Sequence, residues 1–186
     1  VYAGNDPIKL IDVNGDSIEI GYSSVATTGI PVGNHTMLIH TNEETGEEAT
    51  IVEGWPTNES SFGSEGYGKL EKEINTPSWA IGSEDRETVP IPEGKTEEEF
   101  LANIKRASDS YTGDVDYSPI PSVENETGNS NSLVGSVLTE AGSDFQPSRT
   151  SPGFNVNVLS GRVEERKALL RKKIDKIVNG PIIGPK

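Results

Sequence analysis

Apolar and polar positions alternate over short stretches in the first third of the chain, and apolar positions recur at helical spacing further on. Residues 8–13 (Ile-Lys-Leu-Ile-Asp-Val) and 17–22 (Ser-Ile-Glu-Ile-Gly-Tyr) read as two strands. Asn14-Gly15 between them is a hairpin signal, because a type I′ turn needs positive φ at both central residues. Residues 29–34 read as a loop that delivers His35 to the start of a strand at 36–41. The turn 42–47 leads into a partner strand at 48–53, which Gly54-Trp55-Pro56 ends. Residues 56–85 show no sustained period and are expected to form a long loop with one short strand. Residues 86–91 read as a further strand, and Pro90, lacking an N–H, places it at a sheet edge.

Helical spacing takes over at Thr96. Thr96 and Glu99 have the spacing of a capping box, and Phe100, Leu101, Ile104 and Ala107 follow on one stripe, which predicts a helix over 97–108. Residues 111–127 read as irregular. Leu133, Val134, Val137, Leu138 and Ala141 predict a second helix over 130–141, with Gly142 at its C′ position. Val163, Leu170, Ile174, Ile177 and Val178 share a stripe on a last, C-terminal amphipathic helix over 162–178, stopped by Gly180-Pro181. The fold class expected is α+β: a small antiparallel sheet carrying His35, with the helix that starts at Ser130 packed on one face.

Charge divides the chain in two. Residues 1–160 hold 8 Lys/Arg and 27 Asp/Glu, a net of −19, whereas residues 161–186 hold 8 basic and 3 acidic residues, a net of +5. The expected organisation is therefore one acidic domain over 1–160 and a basic helix and tail over 161–186. The acidic body repels phosphate backbones and anionic membranes, which argues against nucleic acid as a partner. No apolar run is long enough to span a bilayer. The opening Val1-Tyr2-Ala3-Gly4 is neither a Met start nor a signal peptide, and the chain is expected to be a mature or excised fragment. There is no cysteine and there are two histidines, His35 and His40, so disulfides, Cys-ligated zinc and His-rich metal sites are not expected. Asp12, Asn14 and Asp16 have the spacing of a calcium loop, but Ser23 stands at the twelfth position, where an EF-hand needs Glu.

Candidate chemistry centres on Gly128-Asn129-Ser130-Asn131-Ser132. A helix start supplies a dipole and free backbone N–H groups, which suits an activated nucleophile and an oxyanion. Ser130 stands there, with Asn129 and Asn131 as helix-start and oxyanion residues, although Asn and Ser are also the ordinary N-cap residues. His35 is the expected general base. A pairing of Thr41 with Glu48 would set His35 opposite Gly54, and a one-residue change in the turn would set it opposite Glu53, the expected orienting group. His40, five residues on, points to the other face of the strand. Trp55 is expected to wall the site. No Gly-x-Ser-x-Gly elbow marks Ser130 as the nucleophile of a serine hydrolase.

Gly128-Asn129-Ser130-Asn131-Ser132-Leu133, with Asn34-His35-Thr36-Met37-Leu38-Ile39 upstream, resembles the permuted papain-like thiol hydrolases. The nearest patterns are those of PPPDE peptidases and lecithin:retinol acyltransferase-like proteins, with NlpC-type cell-wall peptidases more distant. In these a strand histidine comes first and the nucleophilic cysteine follows at a helix start, within an Asn-Cys motif. The resemblance covers two short motifs, and Ser130 stands where the family has cysteine. It implies a papain-like permuted core and a cysteine-type amide hydrolase acting on peptide or peptidoglycan through an acyl-enzyme, without cofactor or metal. It also implies an inactive form at Ser130. An acidic, loop-rich chain of this kind suits a secreted bacterial effector or toxin module, with an inhibitor or immunity protein as partner. Two alternatives stand beside it: a lipid-directed acyltransferase or lipase of the same superfamily, and a non-enzymatic secreted binding module.

Overall fold

The computed structural model describes residues 17–27, 30–42, 45–58, 66–74 and 85–159. It shows an α+β fold, with a five-stranded antiparallel sheet and two helices. The expected strand at 8–13, the Asn14-Gly15 turn, the Asp12-Asn14-Asp16 spacing and the helix at 162–178 lie outside the described residues.

Strands β1 (Ser17–Thr27) and β2 (Ile30–Asn42) form the longest ladder, and β3 (Glu47–Pro56) pairs with the other side of β2. Two short strands, β4 (Leu70–Glu73) and β5 (Arg86–Thr88), complete the order β4-β3-β2-β1-β5. The short strand expected within 56–85 is β4, and β5 lies at the edge that Pro90 implies. Residues 30–34, expected to be loop, belong to β2. They pair with an extended β1 through a bulge between Val25 and Ala26, so the strand opens five residues before His35. Likewise β3 runs on through Gly54 and Trp55 instead of stopping at Glu53. In both cases pairing overrides the turn preference of Gly and Pro.

Helix α1 (Glu97–Asp109) begins with the capping box read from the sequence, Thr96 and Glu99 each reaching back to the other's backbone. After it, β6 (Asp116–Tyr117) and β7 (Thr127–Gly128) form a small parallel pair inside the stretch expected to be irregular. Two residues carry no readable period, which is why the sequence does not reveal them. The pair delivers the chain to α2 (Ser130–Glu140), whose end is a Schellman turn: Gly142 N–H donates to Thr139 O and Ser143 N–H to Leu138 O, with Gly142 at φ 92°.

Alternation along the strands sorts side chains onto two faces. Ile18, Ile20, Tyr22, Leu38, Val52 and Leu70 join Phe100, Ile104, Leu133, Val134, Val137 and Leu138 in the main core, under the helices. Met37 and Ile39 belong to the other face and cluster separately. Gly135 lets the segment around Phe154 lie directly on α2, because a Cβ there would run into the Phe154 carbonyl oxygen.

Candidate functional site

The site forms where β2 and β3 part. Near the turn the two strands pair as expected, Thr41 with Glu48 and Ile39 with Thr50. The register then shifts, and Leu38 pairs with Val52. Ile51 is the extra residue of a β-bulge, and Ile51 and Val52 both enter the main core. Neither expected register holds for His35. Continued beyond Leu38, the shifted ladder sets His35 opposite Trp55, not Gly54 or Glu53. The bulge has a chemical consequence. Without it Glu53 and Trp55 would face the core; with it they share the face of His35.

There the three side chains meet. His35 Nε2 lies 2.8 Å from Glu53 Oε1, with both residues buried. The contact is diagonal rather than direct, within reach of long side chains on a shared face. A carboxylate only accepts, so Nε2 carries a proton in this contact and Nδ1 is the ring nitrogen left to act as a base. Trp55 stacks on the ring at 4.4 Å between centroids and 30° between planes. The indole is 38 % exposed, so it shields the imidazole from one side while remaining open to solvent on its own.

Ser130 lies on the core side of the gap. Its hydroxyl donates to Thr36 O at 2.5 Å and accepts from Gly54 N–H at 3.1 Å. These are the two backbone groups that would bond each other had the ladder continued, so the hydroxyl is inserted between the strands as a bridge. Ser130 is 1 % exposed. Among the described residues no hydrogen bond joins Ser130 to His35: the hydroxyl proton goes to Thr36. Gly54 is required by this approach, because a Cβ on it would stand 3.0 Å from Ser130 Cα and 2.8 Å from Leu70 Cδ1.

The flanking asparagines complete the wedge. Asn129 is the N-cap of α2, its carbonyl accepting from Ser132 N–H and Ser132 Oγ while its amide donates to Pro119 O and Pro152 O. Asn131 accepts from Thr36 N–H and Thr36 Oγ1, and donates to Asn34 O and Pro152 O. Thr150 O accepts from the Asn34 N–H. The backbone groups of Asn34 and Thr36 on the side that β3 has left are thus satisfied by one loop and one helix start. Both carboxamides are fully occupied, so any oxyanion donor at Asn129 or Asn131 is a backbone N–H.

His35, Asn129, Ser130 and Asn131 line one cavity of about 40 Å³ with Tyr117, Pro119 and Pro152. That is room for a water-sized group. Trp55 is not among its lining residues. No group of three or more His, Asp or Glu side chains suited to a metal occurs among the described residues. No helix among them is long and apolar enough to cross a membrane.

Thr36, Gly54 and Pro152 were not foreseen. Gly54 reads in the sequence as the end of a strand; because β3 runs on to Pro56, it is instead a glycine within a strand, a mark of close backbone approach. Compared with models of protein families, with curated proteins and with solved structures, the chain matches none of them.

Proposed function

We propose that the chain has the plan of a permuted papain-like thiol amide hydrolase and that, with serine at position 130, it holds the site without turning over. In this reading His35 is the general base, Glu53 its orienting carboxylate, and position 130 the place of the nucleophile. Peptide or peptidoglycan amides are the substrate class, and secretion as a bacterial effector is the setting. The observation that carries the reading is the buried His35–Glu53 pair, held beside a helix start with Nδ1 as its basic nitrogen. A base, a group that fixes its tautomer and a helix N-terminus are the parts that thiol chemistry requires.

The serine form is inert for a stated reason. General-base catalysis needs the nucleophile's proton directed at the imidazole. Here that proton is directed at Thr36 O. A sulfur atom is larger and a weaker donor, and it fits poorly between groups 2.5 and 3.1 Å from the present oxygen. A cysteine side chain at this position would leave the bridge and turn toward the cavity that His35 lines.

The test is Ser130→Cys in the full chain, alkylated with iodoacetamide at pH 7. The thiol is expected to react at least about tenfold faster than cysteine in a short peptide, and His35→Ala to remove that advantage. Equal rates with and without His35 overturn the assignment of the base.

One observation favours a second reading, a non-enzymatic binding module. Ser130 makes two backbone hydrogen bonds and is buried, as a purely structural serine would be. In that case the thiol of the Ser130→Cys protein alkylates no faster than a peptide thiol. The lipid-directed alternative depends on an apolar surface on the helix expected over 162–178, a stretch outside the described residues.

A further inference from the structure

We infer that Asn131 is the positioning residue of His35: its carboxamide fixes the two peptide groups on either side of that histidine and so aims the imidazole. This goes with the reading of His35 as a base, but the position of the ring can be measured without it.

Asn34 C=O belongs to the peptide unit that enters His35, and Thr36 N–H to the unit that leaves it. Asn131 Nδ2 donates to the first at 2.8 Å, and Asn131 Oδ1 accepts from the second at 2.9 Å. Each peptide unit is planar, so holding the two together restrains φ and ψ of His35, the only soft torsions between them. Those torsions set the direction of its Cα–Cβ bond. The opposite edge of β2 is held by β1, where His35 pairs with Ser23. Beyond Leu38 the ladder with β3 gives no such hold. Asn131 therefore replaces a missing strand at the residue that bears the candidate base.

Other side chains fit the role poorly. The orientation of the carboxamide is unambiguous, since Thr36 N–H only donates and Asn34 O and Pro152 O only accept. Aspartate would set a carboxylate oxygen against two carbonyls. Glutamine adds a methylene to a residue that is 3 % exposed. Asn131 also follows Ser130 directly, so one helix start sets the position of residue 130 and the aim of His35 together.

Asn129 provides the control. It caps the same helix and holds Pro119 O and Pro152 O, but it makes no hydrogen bond to β2. The readout is exchange of the His35 Nε2 proton with water, followed by NMR of the full chain with 15N-labelled histidine. Asn131→Ala is expected to speed this exchange at least about tenfold, because the ring is no longer aimed at Glu53, while Asn129→Ala changes it less than about twofold. Should Asn131→Ala fail to fold, Thr36→Val removes the Oγ1 contact alone and is expected to shift exchange the same way by a smaller factor. Unchanged exchange in a folded Asn131→Ala protein, or in Thr36→Val where the former does not fold, overturns the proposal. So does an equal effect of Asn129→Ala. In the Ser130→Cys background, Asn131→Ala is expected to slow alkylation about tenfold. Alkylation indifferent to His35 itself would instead refute the base, with faster exchange in Asn131→Ala still supporting the clamp.

Discussion

Helices α1 and α2 begin with the same local device and use it differently. Thr96 with Glu99 and Asn129 with Ser132 are both complete capping boxes. At α1 the box faces solvent, and Thr96 and Glu99 each bond the other's backbone. At α2 the box is buried, and between its two ends stand Ser130 and Asn131, whose side chains bond β2 and β3 instead of the helix. A cap alone explains the side-chain carbonyl of Asn129 and the hydroxyl of Ser132. It leaves Ser130 and Asn131 unexplained, and those two residues meet the sheet beside the buried His35–Glu53 pair.

The comparison breaks if substitutions at the two helix starts cost alike. Asn131→Ala is expected to cost most, about 3 to 4 kcal/mol, because it strands the buried Thr36 N–H and takes the side-chain donor from Asn34 O, while Pro152 O keeps Asn129. Chemical denaturation at neutral pH measures this. Gly54→Ala follows at about 2 to 3 kcal/mol, since the added methyl meets helix backbone at Ser130 Cα and can only push the wedge out of the gap. Ser130→Ala is expected to cost about 2 kcal/mol, as Thr36 O and Gly54 N–H are then held apart with nothing between them. Thr96→Ala, the exposed counterpart, should cost about 1 kcal/mol, the usual value of a lost N-cap. A Ser130→Ala cost no greater than that of Thr96→Ala would reduce the α2 start to an ordinary cap.

What could be read from the sequence follows the range of the interactions. The α1 cap, both helix spans, the Gly142 stop and the pairing of Thr41 with Glu48 depend on neighbours within a few residues or on one turn, and they were legible. The meeting of His35 and Glu53 was anticipated, but by the wrong register. It depends on Ile51 bulging out of the ladder, and nothing in Thr50-Ile51-Val52 distinguishes a bulge from an unbroken strand. The roles of Ser130 and Asn131 were illegible for a related reason. Hydrogen bonds spanning about ninety residues leave no local pattern, and Asn-Ser-Asn at a helix start is the composition of a cap whether or not a sheet lies beneath it.

The smallest expected effect concerns the segment that ties the wedge to the far edge of the sheet. Residues 148–152 run from β5 to α2: Ser148 N–H and Oγ donate to Glu87, Thr150 O accepts from Asn34, and Pro152 O accepts from both asparagines. Burial works to raise the pKa of the Glu87 carboxyl, but hydrogen bonds from Tyr22 and Ser148, with the nearby Arg149 charge, outweigh it and hold the group below its ordinary value of 4.5. A carboxyl depressed in the folded state adds stability above its unfolded pKa and loses it as the pH falls through the folded one. Glu87 should therefore contribute fully near pH 6 and progressively less below about 4.5. Much of the group is in contact with water, so the contribution is small. Urea unfolding of the native chain and of Glu87→Gln at pH 6 and pH 3.5 checks it: the stability gap between them should narrow at the lower pH. A gap that stays constant would show that Glu87 does not hold this segment by its charge. The loss should also leave the α1 cap untouched, because the capping bonds there run between Thr96 and Glu99.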